Sequence, residues 1–343
     1  MRDSQPTPST FRTTGRARLA ETVQVLRLPA SYPQPVKRVE AVETHMSWVF
    51  LTEQHAYKLK KPIATPLLDF TTVAARRAAC EVELRLNRRL AADVYLAVVP
   101  IVEAAGVWRV EGEGAVIDWL VKMRRLPREL MLDARIEQGT VRPAEIDRLA
   151  DTLIRFYAGV ERAPEPGAAY GERLGRDIDA KRAALEHAHY ALANDEIHAA
   201  ASALERWHAA HGALLEARGA SVVEAHGDLR PEHVCLEAEP VVIDCLEFDR
   251  SLRLLDPLSE LSFLALECRR LGAPWIGQRV LERYLQQTAL TSQHELLAFY
   301  QGYHALVRAT VAIWHLDDDG LDHKARFRAR AASYLRLARE LLH

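Results

Sequence analysis

Up to about residue 123 the apolar positions mostly alternate with polar ones, and from Pro127 onward they mostly recur at helical spacing. Ser47-Trp48-Val49-Phe50-Leu51 reads as a strand, Thr52 to His55 as a turn, and Ala56 to Lys60 as a second alternating run, which predicts a hairpin. Thr71 or Thr72 can cap a helix running to about Leu90, because Ala75, Ala79, Val82, Leu86 and Leu90 keep helical spacing. Tyr95 to Val102 and Ala115 to Met123 are two further strands around a turn containing Gly106, Gly112 and Gly114. A small sheet with one helix is therefore expected in the first third of the chain.

The second part reads differently. Thr140, with Pro143 near the first turn, starts a helix that carries Ile146, Leu149, Leu153, Ile154 and Tyr157 on one face. Ala163 to Gly167 is a loop, and helices are expected near 172–191, 195–218, 258–271, 275–287, 294–315 and 323–342. The stretch from Glu224 to Asp256 interrupts this pattern. His226-Gly227-Asp228 puts a carboxylate on a turn, and after Pro240 the β-branched run Val241-Val242-Ile243 delivers Asp244 at its end. Two acidic groups at loop or strand ends suit phosphoryl transfer, where one carboxylate orients or deprotonates a hydroxyl and the other holds Mg²⁺.

Composition narrows the classes. With 45 basic and 47 acidic residues the net charge is −2, so nothing points to nucleic acid or a membrane surface. The four cysteines show no C-x-x-C, which suits a reducing compartment and predicts a cytoplasmic protein. No apolar run of membrane-spanning length occurs, and the N-terminus lacks the apolar core of a secretory signal. Residues 1 to about 18, rich in Ser, Thr, Pro and Arg, are expected to form a disordered tail. Only seven of the basic residues are lysines, and three of them, Lys58, Lys60 and Lys61, fall within four positions. A compact ammonium fits between phosphate oxygens where a planar guanidinium fits differently; a solvated edge strand guarded by lysines is the plainer reading.

The run His226-Gly-Asp228-Leu-Arg-Pro-Glu-His233 followed by Ile243-Asp244-Cys-Leu-Glu247 resembles the aminoglycoside phosphotransferase/choline kinase family, whose loop usually reads HGDLHPGN followed by IDWE. The segments ETHMSWVFLT, AYKLKKP, LDFTT, ELRLNRRLAADVYL and KMRRLP extend the likeness over about residues 40 to 340, toward a little-characterised bacterial branch. Many members of that branch carry an additional C-terminal P-loop ATPase domain, whereas this sequence contains no G-x-x-x-x-G-K-S/T.

The resemblance implies an α+β, two-lobed protein-kinase-like fold, with residues 19–124 as a sheet-bearing N-lobe and 125–343 as a mainly helical C-lobe. It implies ATP (or GTP) and Mg²⁺, with Mn²⁺ as an alternative, and a small-molecule acceptor. Ala56 would lie under the adenine and Lys58 on the phosphates, with Lys60 on the same strand face as the alternative. Glu83 would pair with that lysine. Met123, Arg124 and Leu126 fall where a kinase chain reads the adenine edge. No G-x-G-x-x-G covers the phosphates, so Glu43 to Ser47 would have to do so with backbone N–H groups and the Thr44 and Ser47 hydroxyls. Asp228 would be the base, His226 its support, and Asp244 the metal ligand. His233 stands where the family has Asn, a departure that either changes the metal preference, orients an acid, or weakens transfer; Glu247 is a spare ligand. Two other readings remain open on residue types: a nucleotide-binding regulatory module, and a metal-dependent phosphoesterase using His226, Asp228, His233 and Asp244. A zinc site from His233, Cys235 and Cys245 lacks the usual spacing. Acceptor identity and oligomeric state are not encoded in any motif.

Overall fold

A computed structural model describes residues 18–65, 68–187, 190–290, 293–316 and 324–342. The expected N-terminal tail lies outside the described residues, apart from Arg18. The chain divides into two compact units, one running to Leu130 and including Val241–Arg250, the other formed by Met131–Pro240 and Ser251–His343. The segment bearing Asp244 thus goes with the sheet, where the sequence had suggested the helical part.

The first unit is built on a six-stranded antiparallel sheet with strand order β1-β2-β3-β8-β6-β7. Its strands are β1 (Glu40–Glu43), β2 (Ser47–Leu51), β3 (His55–Lys60), β6 (Tyr95–Ala104), β7 (Val107–Val110) and β8 (Ala115–Arg124). A small ribbon, β4 (Ala64–Thr65) with β5 (Leu68–Asp69), follows β3. Successive side chains of a strand point to opposite faces. Tyr57 and Leu59 of β3 therefore enter a core with Phe50, Ile101 and Leu120, closed by Val23 and Leu26 of helix α1 (residues 18–26). Ala56, Lys58 and Lys60 share the other face, toward which α2 (Val73–Asn87) carries Glu83. Thr72 caps α2 by accepting from the Ala75 N–H at 3.1 Å. Arg76 ties the same helix to β8 through a buried pair with Asp118, at 2.9 and 2.8 Å. Strands β1 and β7 had no counterpart in the sequence reading. Both are four-residue edge strands with mostly exposed or half-buried side chains, too short for a clear alternation.

The second unit is helical: α3 (Leu132–Glu137), α4 (Pro143–Gly159), α5 (Ala169–Leu185), α6 (Asn194–Ala210), α7 (Gly212–Gly219), α8 (Pro257–Arg270), α9 (Pro274–Gln287), α10 (His294–Trp314) and α11 (Lys324–Leu341). The single helix expected near 195–218 is broken at His211, whose ring bonds back to the Trp207 carbonyl at 2.8 Å just before Gly212. Short strands β9 (Val223–Glu224) and β12 (Leu254–Leu255) pair antiparallel, and in sequence the His226–His233 loop lies between them. Strands β10 (Val234–Cys235) and β11 (Val241–Val242) are two residues each.

Helix α8 is buried from Pro257 through Cys268. Four of those residues are polar, and a buried polar group needs partners. At the helix start, Asp256 accepts from the Leu258 N–H at 3.0 Å, from Arg218 at 2.7 and 2.5 Å, and from the Tyr300 hydroxyl at 2.8 Å. Gly277 of α9 crosses α8 so closely that a Cβ there would sit 2.4 Å from Ala265 Cα. Among the described residues no helix is long and apolar enough to cross a membrane. Asp256→Ala is expected to destabilise this unit by about 3–5 kcal/mol, because Arg218 would keep a buried charge without its partner. Denaturant unfolding of the variant against wild type measures it.

Candidate active site

Two constellations carry the motif residues, one in each unit. In the first, the two-residue period of β3 sets Lys58 and Lys60 side by side, and Glu83 of α2 meets both. Lys58 Nζ donates to Glu83 Oε1 at 2.9 Å, and Lys60 Nζ donates to Glu83 Oε2 at 2.6 Å. Each lysine has a second acid. Lys58 reaches Asp244 Oδ1 at 2.6 Å, and Lys60 bonds Glu247. Glu83 and Lys60 are fully enclosed, whereas the Asp244 side chain is 43% exposed.

Burial alone would raise the Glu83 carboxyl, but Lys58 and Lys60 outweigh it and hold the group below its ordinary value. Burial would likewise lower Lys58; Asp244, Glu83 and Glu247 overcome this and keep the ammonium well above its ordinary range. Lys60 is raised in the same manner by Glu83 and Glu247. Both lysines are thus permanently charged at neutral pH.

Asp244 has a backbone φ of +62°, in the left-handed region where Asp is among the tolerated residues. Its N–H donates to the Tyr95 hydroxyl at 3.1 Å, and the next N–H, of Cys245, donates to Asn87 Oδ1 at 2.9 Å. Asn87 in turn donates to the Glu83 carbonyl at 2.9 Å. One helix therefore positions both the buried acid and the segment carrying Asp244. Tyr95 and Asn87 were not picked out from the sequence; Asn87 lies four residues after Glu83, one turn along the same helix face, which was the available signal.

The other expected nucleotide residues sit as follows. Ala56 is buried and pairs with Met123 across β3 and β8. Arg124 N–H donates to the Val94 carbonyl at 2.8 Å, its guanidinium meets Asp93 at 2.5 Å, and Leu126 is half-buried just beyond β8. Thr44 and Ser47 close the turn between β1 and β2 on themselves. The Thr44 N–H donates to the Ser47 carbonyl at 2.8 Å, and the Ser47 N–H donates to Thr44 Oγ1 at 3.0 Å. Those groups are spent on the turn.

In the second unit, Gly227 has φ +88°, which its lack of a side chain permits. The His226 and Gly227 N–H groups both donate to the buried Glu260 carboxylate, at 3.0 and 2.5 Å, and the Tyr157 hydroxyl donates to it at 2.7 Å. The loop is thereby fastened to the first turn of α8. Asp228 follows, its N–H donating to His226 Nδ1 at 3.3 Å. Its carboxylate forms an ion pair with Arg230, Nε to Oδ1 2.9 Å. His233 is turned onto the loop: Arg230 Nη2 lies 3.0 Å from His233 Nε2, and His233 Nδ1 lies 2.8 Å from the Asp228 carbonyl. Glu260 and Arg230 escaped the sequence reading; Glu260 lies four residues after the Asp-Pro that starts α8.

Among the described residues no three His, Cys, Asp or Glu side chains form a group able to hold a metal ion. Within the helical unit, His226, Asp228 and His233 of the phosphoesterase reading thus form no such group. A Mg²⁺ held by one or two carboxylates together with substrate phosphates needs no such cage, and the half-exposed Asp244 fits that demand. Glu247, the spare ligand of the sequence reading, is occupied by Lys60.

The fold is shared with known structures. A choline/ethanolamine kinase family protein from Mesorhizobium loti superposes with a TM-score of 0.55 at 17% identity, covering 96% of this chain and 95% of that one. The GDP complex of aminoglycoside 2'-phosphotransferase-IIIa gives 0.51 at 13% identity, covering 92% and 98%. An uncharacterized protein of Mycobacterium tuberculosis is 30% identical over 282 residues, which is 80% of this chain and 54% of the relative. The chain thus spans about half the length of the curated relatives it matches. Residues 68–303 match the model of the phosphotransferase enzyme family. With that match covering well over half of its length, the chain belongs to this family, the aminoglycoside phosphotransferase and choline kinase-like group that its motifs resemble.

Proposed function

We propose that this chain transfers the γ-phosphoryl group of ATP to a hydroxyl of a small molecule. The observation that carries the reading is the Lys58–Glu83 pair with Asp244 against the same ammonium. A strand lysine held by a helix glutamate, next to a metal-binding aspartate, is the arrangement phosphoryl transfer uses. Lys58, already charged and held in place, contacts the nucleotide phosphates. Asp244 takes the Mg²⁺, which when bound neutralises charge on the phosphate oxygens. Ala56 and the Met123–Leu126 segment meet the base.

Asp228 orients the acceptor hydroxyl and receives its proton as the acceptor oxygen bonds to the γ-phosphorus. The bond from that phosphorus to the β–γ bridging oxygen breaks, and ADP leaves. Glu260 fixes the turn before Asp228 through the His226 and Gly227 N–H groups, so the carboxylate is presented from a rigid support. The aminoglycoside phosphotransferase whose structure was solved with GDP, and the choline/ethanolamine kinase family protein, suggest a small polar acceptor. A regulatory module that binds nucleotide without transfer is the second reading; it is favoured by the engagement of His233 with its own loop.

Asp228→Asn is expected to leave nucleotide affinity unchanged and to lower kcat by about 10²–10⁴-fold, the range for loss of a positioned base. ADP formation across a panel of amino sugars, amino alcohols and polyols measures it, and turnover equal to wild type would remove Asp228 from the mechanism. The two lysines are expected to separate. Lys58→Met weakens nucleotide binding. Lys60→Met instead destabilises the fold by about 3–5 kcal/mol, since Glu83 would lose its most enclosed partner. Nucleotide titration and denaturant unfolding on the two variants distinguish these effects.

A further inference from the structure

Lys60 of β3 and Glu247, three residues beyond Asp244, bond one another inside the sheet-bearing unit. The Lys60 side chain is 1% exposed, with Glu83 Oε2 at 2.6 Å and the centre of the Phe70 ring at 5.3 Å. Lys58, two residues earlier on the same strand face, is 14% exposed and meets the half-exposed Asp244. The two ammonium groups therefore differ in freedom. Lys58 can trade Asp244 for a phosphate oxygen and still keep Glu83. Lys60 cannot leave without stranding Glu83 and Glu247, two carboxylates that are enclosed or nearly so.

The segment that carries Asp244 is fastened at both ends. At its start the Asp244 N–H donates to the Tyr95 hydroxyl of β6, and the Cys245 N–H donates to Asn87 at the end of α2. At its far end Glu247 is tied to β3 through Lys60. Between them Asp244 keeps a φ of +62°, a left-handed conformation that the surrounding bonds must maintain. With the Lys60 bond gone, the segment would be free to turn about its first two bonds and would carry the Asp244 carboxylate with it. Groups that stand behind a metal ligand fix its orientation in this way, and metal affinity depends on them.

We propose that Lys60 and Glu247 form a strut that holds the Asp244 segment in the geometry that binds the divalent cation, with Lys60 the fixed lysine of the pair and Lys58 the one that changes partners. The inference rests on the kinase reading above. It makes Lys60 and Glu247 positioning residues, and assigns Glu247 to the support of the metal ligand rather than to the metal. It also accounts for two lysines on one strand face: Lys60 keeps Glu83 charged and in place while Lys58 turns to the nucleotide.

The test measures, by calorimetric titration of the full chain, the affinity for a non-hydrolysable ATP analogue with saturating Mg²⁺ and with a chelator. Glu247→Gln is expected to weaken binding with Mg²⁺ by about 10–100-fold, the scale for losing a group that orients a metal ligand, and to leave metal-free binding at the wild-type value. Lys60→Met is expected to weaken the Mg²⁺-dependent binding likewise, and the double variant to bind no more weakly than Lys60→Met, because the two residues act as one unit. Glu247→Gln, which keeps Lys60 on Glu83, decides the matter even where Lys60→Met does not fold. Equal loss of both affinities in Glu247→Gln would make the pair merely structural, and no loss of either would remove it from the site; each result overturns the inference. Tighter Mg²⁺-dependent binding in Lys60→Met would show Glu247 to be a metal ligand that the lysine withholds, and would overturn it as well. These three results leave the kinase reading standing, whereas a wild-type chain whose binding of the analogue gains nothing from Mg²⁺ would overturn both.

Discussion

Everything in the sheet-bearing unit turns on one carboxylate. Glu83 is fully enclosed and touches two ammonium groups, one on each oxygen. Neither lysine could remain charged there alone, since desolvation of an isolated ion costs several kcal/mol or more. The arrangement needs β3 to offer two lysines on one face, which its period of two does, and needs α2 to be seated at the right height. Thr72 at the helix start, Arg76 on Asp118, and Asn87 at the helix end fix that height. Around the pair of lysines stand three carboxylates, Glu83, Asp244 and Glu247. The cluster keeps one surplus negative charge, and its most exposed member is Asp244. A divalent cation brought with a nucleotide would meet that member first.

The helical unit solves a different problem, how to present a carboxylate on a loop without letting the loop wander. Glu260 does so by accepting from two consecutive loop N–H groups, and it can because Asp256 and Pro257 start α8 one turn earlier. Asp256 is itself held by Arg218 and Tyr300. The support for Asp228 is thus a buried carboxylate that accepts from two loop N–H groups and the Tyr157 hydroxyl, and a satisfied buried polar group of this kind rigidifies a fold.

Much of this was legible in the sequence. Alternation around Tyr57 and Leu59 announced β3 and left Lys58 and Lys60 on the opposite face, and the spacing of Leu86 and Leu90 pointed to α2. The His-x-Asp turn and the β-branched run before Asp244 marked the two acids. What stayed hidden were long-range partners that no local pattern encodes. Glu247 looked like a spare metal ligand because nothing in IDCLEF says that Lys60, far away in sequence, will bond it. Thr44 and Ser47 looked like phosphate binders because a turn that satisfies its own N–H groups has the same composition as one that does not. Asn87 and Glu260 carry no motif; their importance comes only from the backbone they hold. The break at His211 escaped because the apolar spacing continues through it.

The central claim is that Asp244, held against Lys58, is where nucleotide and metal meet. The most direct measurement is the thermal midpoint of the wild-type chain and of Asp244→Asn with ATP or GTP, each with Mg²⁺ or Mn²⁺. Stabilisation by nucleotide that requires the metal in wild type and disappears in the variant is the expected result. A nucleotide shift that persists in Asp244→Asn, or a shift produced by metal alone in both proteins, would contradict the account.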